Sequence, residues 1–141
     1  KRELTVEPVQ HYGFYLTPLQ NFEKGKTVFY PHGYSNYFFH PTHPHELIIV
    51  STENNKVSIL NCLSGEIVRT ISKGKEYAFC NIDPVTGNYL FRNSYYVLIT
   101  NENGDELFRM RSEDASPYLA NNILTCWAGA AINVEPYLKK P

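Results

Sequence analysis

The sequence predicts an all-β chain assembled from a repeated unit of short antiparallel strands. Three observations carry that prediction. The first is composition: among 141 residues, aromatics make up 14% with 11 tyrosines, and charged residues only 19%. Such a chain has enough apolar surface to fold, and its Tyr, Phe, Val and Ile favour half-buried pleated sheet. The second is run length. The apolar runs Phe14–Leu16, Val57–Leu60 and Tyr96–Ile99 are too short for helices and rich in β-formers. The third is recurrence: the runs come round in register about 40 residues apart, each followed by a polar turn that closes on Gly25, Gly65 or Gly104.

Taken in order, residues 1–11 read as a leading segment or strand. The first hairpin is "YGFYLTPLQNFEKGKTVFY" around Gly25, with a longer loop that holds Pro18. Two further strands follow at Tyr37–Phe39 and Glu46–Val50, joined by "HPTHPH". The second hairpin, "KVSILNCLSGEIVRTI", turns at Gly65 and is followed by strands at Tyr77–Cys80 and Tyr89–Phe91, joined by "DPVTGN". Both links contain Pro and polar turn-formers, so both read as tight turns. The third hairpin, "YVLITNENGDELFRM", turns at Gly104. After it, "RSEDASP" reads as a polar stretch before a short helical turn, where Glu113 and Asp114 would cap. Strands at Ile123–Trp127 and Ala130–Val134 come next, and residues 135–141 form a C-terminal tail.

One period is therefore four short strands in about 40 residues, the size of a β-propeller blade. On this register the chain opens at the third strand of one blade, passes through two full blades and ends in the first half of another. Residues 12–134 are assigned to the blades. About three four-stranded blades do not close a ring, which takes roughly 4–8. The expectation is a segment of a propeller completed by another chain or segment, with closure by two copies as the alternative.

The stretch "FHPTHPHELIIVSTENNKVSILNCLSGEIVRTI" (39–71) resembles a blade of the WD-repeat family. Phe39-His40-Pro41 matches the end of the inner strand and its turn, Leu47–Thr52 the second strand, Val57–Leu60 the third, and Gly65-Glu66 the start of the outer strand. Residues 77–110 resemble it more loosely. The family's terminal Trp-Asp is replaced by Leu60-Asn61 and by Ile99-Thr100, and Glu53-Asn54-Asn55 stands where an aspartate is expected. The resemblance implies a scaffold fold, and the family's buried His–Asp–Ser–Trp set has no counterpart here.

Function is narrowed by what the residues do not spell. A net charge of −1 gives no surface for neutralising nucleic-acid phosphates. No apolar run reaches the roughly 18 residues of a membrane span. Three widely spaced cysteines, Cys62, Cys80 and Cys126, do not make a disulfide framework, which points to an intracellular compartment, cytoplasm or nucleus. No nucleophile elbow, phosphate-cradling glycine loop or His-Glu-x-x-His is present. Asp83 and Asp105 read as turn formers and Trp127 as a buried inner-strand aromatic. His40, His43 and His45 crowd one turn, but their spacing across two prolines reads as strand entry, not a metal clasp.

The expected role is a non-catalytic protein–protein interaction scaffold without cofactor or metal. Its partners would be other protein chains. The candidate partner-binding residues are Tyr30, His32, Tyr34, Tyr37, His43 and His45, from the aromatic and histidine-rich stretch "YPHGYSNYFFHPTHPH". The competing expectation is a propeller enzyme, or a small-ligand or metal sensor, with its site in the central channel.

Overall fold

A computed structural model describes residues 4–9, 13–18, 26–29, 34–51, 55–74, 76–113, 116–126 and 129–140. The chain divides into two compact units, Lys1–Thr70 and Ile71–Pro141.

The first unit holds two antiparallel meanders. β1 (Leu4–Val9), β2 (Gly13–Pro18) and β3 (Lys26–Phe29) pair in chain order, and β4 (Tyr34–Phe39), β5 (Glu46–Ser51), β6 (Val57–Asn61) and β7 (Glu66–Ile71) do the same. β5 and β6 are buried along nearly their whole length. Both of their faces are covered, so "LIIV" and "VSIL" read as continuous runs with no in–out alternation. Leu47, Ile49, Leu60 and Cys62 form a core cluster, with Val6, Tyr37 and Phe39 packed against it. Each such Leu or Ile contributes about 1.5–3 kcal/mol relative to exposure.

The second unit repeats the plan. β8 (Ala78–Ile82), β9 (Tyr89–Arg92), β10 (Tyr96–Thr100) and β11 (Glu106–Arg111) form a four-stranded meander, and β12 (Tyr118–Ala120), β13 (Ile123–Thr125) and β14 (Ala131–Asn133) a three-stranded one. On one face Leu90, Val97, Ile99, Leu119, Leu124 and Val134 join the two sheets in one core. On the other, Phe79, Tyr89 and Phe91 meet edge-on or tilted, with ring centroids 5.6–6.5 Å apart. After β14 a 3-10 turn at Glu135–Tyr137 leads back to the sheet of β8–β11, where the Lys139 N–H donates to the Leu107 carbonyl at 2.8 Å.

The all-β class and the glycine-anchored hairpins are as expected. Gly65 (φ 79°) and Gly104 (φ 89°) both close their hairpin loops in the left-handed region, which a side chain would oppose. Gly25 lies outside the described residues. Two points of register differ. The chain does not open at a third strand: β1 pairs with β2 from Leu4↔Pro18 to Val9↔Gly13. Pro8 disguises it, yet β1 stands at the end of its sheet, where proline is tolerated.

The last sheet also begins earlier than expected, at Tyr118–Ala120 and not at residue 123. Its three residues are too few to show a period, and its turn is Asn121-Asn122, with φ 50° and 61°, in place of the usual Asn-Gly. The stretch "RSEDASP" forms no helix at its described residues: Ser112 donates its N–H to the Tyr95 carbonyl at 2.7 Å, and Asp114 lies outside the described residues.

Candidate functional site

The histidine turn is built by the end of β4 and the start of β5. Pro41 and Pro44 each hold the residue before them extended, and the turn closes with the His40 N–H on the Glu46 carbonyl at 3.0 Å. His40 is buried, with 4% of its surface exposed. Its Nδ1 accepts the backbone N–H of Thr42 at 3.1 Å and of His43 at 3.2 Å, and lies 3.2 Å from the Thr42 hydroxyl. Two amide donors demand a lone pair on Nδ1, so the neutral ring carries its proton on Nε2. The His43 ring lies over it, centroids 4.3 Å apart.

Glu46 completes a cluster: ligand-capable atoms of His40, His43 and Glu46 all lie within 4.8 Å of one another. Two imidazoles and a carboxylate are donors that suit zinc or another borderline divalent ion. The same atoms also serve the fold. The Nδ1 lone pair of His40 is engaged by the turn amides, its Nε2 carries the proton, and Glu46 accepts from Arg69 Nη2 at 2.8 Å. A metal on His40 would have to displace the turn amides from Nδ1 or the proton from Nε2, while Glu46 keeps Oε2 beside the Arg69 contact on Oε1. The expected strand entry is thus what the turn's hydrogen bonds build. His45 joins in through its backbone, its carbonyl accepting the Cys62 N–H at 2.8 Å.

The next repeat places Asp83 where the first places His40. Asp83 Oδ1 accepts the N–H of Val85 at 2.9 Å and of Thr86 at 3.2 Å, the same two positions along the turn that His40 Nδ1 holds. The carboxylate then goes further. Oδ1 takes the Asn121 N–H at 2.8 Å and Oδ2 the Asn122 N–H at 2.9 Å, both from the β12–β13 turn. Positive φ at both asparagines turns these amides outward as an anion-binding nest. Asp83 has no exposed surface. Burial pushes its acidity down, but the amides of Asn122, Val85, Asn121 and Thr86 outweigh it and hold the carboxyl below the ordinary range.

Asn81, two residues earlier, makes a second link. Its Nδ2 donates to the Leu119 carbonyl at 2.9 Å and its Oδ1 accepts the Leu119 N–H at 3.1 Å, so a side-chain amide pairs β8 with β12 as a backbone would. The sequence marks Asp83 as a turn former; nothing in it signals the reach of Asp83 or Asn81 into the following sheet, about 38 residues on.

The other expected contacts are less alike than the sequence suggests. Tyr37 is half-buried and packs on the first core cluster, and His43 and His45 are half-buried at the turn. Tyr34 opens β4, its side chain outside the described residues, and Tyr30 and His32 lie outside them entirely. Trp127 also lies outside them. In the second unit a depression of roughly 250 Å³ is lined by Ala78, Phe79, Cys80, Arg92, Ser116 and Pro117. Burial pushes the Cys80 thiol up to about 11, with the Arg92 charge offsetting only part. The thiol is therefore held protonated and unreactive at neutral pH. Exposed apolar side chains gather at turns and outer positions: Leu63 at 59%, Ile67 at 42%, Val68 at 45%, Val85 at 61% and Tyr118 at 50%.

No protein-family model matches the chain, and no curated protein sequence does. Solved structures do match, and they are β-propellers. Apo AztD from Citrobacter koseri superposes with a TM-score of 0.62 at 9% identity, over 79% of this chain and 32% of that one. The Cps50 (Swd1) β-propeller domain from Myceliophteria thermophila gives 0.62 at 10% identity, over 88% and 45%. BamB from Moraxella catarrhalis gives 0.54 at 20% identity, over 86% and 39%. The chain shares the β-propeller fold and spans less than half the length of each of these structures.

Proposed function

We propose that the chain is a non-catalytic protein–protein interaction scaffold, a WD-repeat-like part of a β-propeller within a larger assembly of the intracellular space. One observation carries this reading: among the described residues, two buried polar side chains of the kind that do chemistry, Asp83 and His40, are engaged in architecture. Asp83 gives its carboxylate to four backbone amides, and His40 gives its acceptor nitrogen to two. The described surface includes exposed apolar and aromatic side chains at turns and outer strands, the material of binding hot spots. The partners are other protein chains, including whatever polypeptide supplies the remaining blades. The proposed partner-binding residues are Tyr30, His32, Tyr34, Tyr37, His43 and His45.

The test is capture of a partner by the immobilised chain, compared with Tyr34→Ala and His43→Ala variants. Loss of capture with unchanged melting supports the reading. Capture that survives both changes, or is lost only together with folding, removes these residues from the surface.

The second reading, a metal or small-ligand sensor, rests on the His40, His43 and Glu46 cluster. Saturable zinc binding that disappears in His43→Ala would favour it.

A further inference from the structure

β7 and β11 are the same strand in successive repeats, and among the described residues a further segment runs along β11 but none along β7. Their sequences align as Glu66-Ile67-Val68-Arg69 and Glu106-Leu107-Phe108-Arg109. Each stands at the end of its four-stranded sheet. Along β11 the chain lays its own C-terminal segment: the Lys139 N–H donates to the Leu107 carbonyl at 2.8 Å, and Lys139 Nζ lies 3.7 Å from Glu106 Oε2. Leu138 packs on the cluster that also takes Phe108. Leu107 is left 6% exposed. At the matching positions of β7, Ile67 is 42% and Val68 45% exposed, and Glu66 is exposed as well. Ile67 and Val68 are neighbours on a strand, so apolar surface faces outward on both sides of it.

We propose that β7 is a docking edge for an extended segment of a partner protein that carries an apolar residue followed by a lysine or arginine. The chain itself supplies the pattern. Leu138-Lys139 beside β11 shows what such a strand accepts: a backbone hydrogen bond to the carbonyl of the second strand residue and a cation toward the glutamate that opens the strand, with the apolar residue before it packed on the strand's own core cluster. β7 carries the matching residue types, Glu66 at its opening and exposed Ile67 and Val68 after it. Strand addition draws affinity from main-chain bonds and specificity from side chains, here a basic one toward Glu66 and an apolar one on the opposite face, against exposed Ile67. This deepens the scaffold reading and rests on it, at a surface separate from the histidine turn.

The probe is a fluorescein-labelled peptide of sequence VEPYLKK, matching residues 134–140, titrated by anisotropy onto the full chain. Saturable binding is expected, weakened roughly ten-fold or more by Ile67→Lys and by Glu66→Lys, since each removes one of few anchors. A peptide with its first lysine changed to glutamate should bind correspondingly weaker. Ile67 and Glu66 are exposed, so both variants should keep the melting temperature of the parent. No anisotropy change at millimolar chain, or binding indifferent to Ile67→Lys, overturns the proposal. So does a concentration-dependent dimer that Ile67→Lys abolishes, which would hand the edge to a second copy. Capture through the histidine turn is read independently with His43→Ala, so failure here and failure of the scaffold reading are distinguishable.

Discussion

Asp83 and Asn122 are 39 residues apart in sequence, and the carboxylate of one holds the backbone N–H of the other at 2.9 Å. With the parallel bond to Asn121 at 2.8 Å, this joins the turn of one sheet to the turn of the next. A buried carboxylate satisfied by four amides is stabilising as a set and costly to break. Removing the acceptor takes four backbone donors off their shared partner and cuts the tie between the two turns.

Asp83→Ala should therefore cost about 1–3 kcal/mol, because a buried carboxylate that ties two turns through four amides is lost. Asp83→Asn should cost less but still more than about 1 kcal/mol, since its NH₂ group faces an amide donor where an oxygen stood. Urea denaturation of the full chain measures both. A change within a few tenths of a kcal/mol for Asp83→Ala would contradict the clamp.

The same carboxylate sets an acid limit. Its folded-state pKa lies below the ordinary carboxylate range, so its contribution is present above the unfolded value, about 3.9, and is lost as pH falls through the folded value. Stability of the parent should drop faster below about pH 4 than that of Asp83→Asn, which has no such proton to take up. Parallel pH–stability curves for the two would remove Asp83 from the acid response.

His40 should behave as a turn residue. His40→Ala leaves the Thr42 and His43 amides without their acceptor and should cost about 1–2 kcal/mol. His40→Asp should recover much of that loss, because Asp83 holds the matching turn with a carboxylate oxygen. Zinc added in excess should leave the melting temperature unchanged. A saturable rise would show that the ring can give up the turn for a metal.

Cys80 should be slow toward thiol reagents. With its thiol pushed from 9.0 to about 11, its thiolate fraction at pH 8 falls roughly a hundred-fold. Reaction with Ellman's reagent, followed by peptide mapping, should leave Cys80 among the last sites modified. Rapid labelling of Cys80 in the folded chain would contradict its burial.

The fold was legible from residues whose chemistry is local. Gly65 and Gly104 had to sit in turns because only glycine adopts their φ cheaply, and the run Leu47–Val50 had to be a central strand because it is apolar without a break. β1 and β12 were hidden for equally physical reasons. Pro8 argues against a strand unless the strand is known to be an edge, and three residues at Tyr118–Ala120 carry no period. At the candidate site, the rhyme between "HPTHPH" and "DPVTGN" located two matching turns. It did not disclose that His40 and Asp83 do the same job with different atoms. That equivalence depends on side-chain direction and on a turn 38 residues downstream, neither of which a local pattern encodes.

Amide hydrogen exchange at Asn121 and Asn122, followed residue by residue in the parent chain and in Asp83→Asn, tests the central claim most directly: that turn side chains of this propeller lock successive sheets together. Protection of both amides to the level of the surrounding strands, lost in the variant, is the predicted result. Exchange at the rate of an open loop in the parent chain would contradict it.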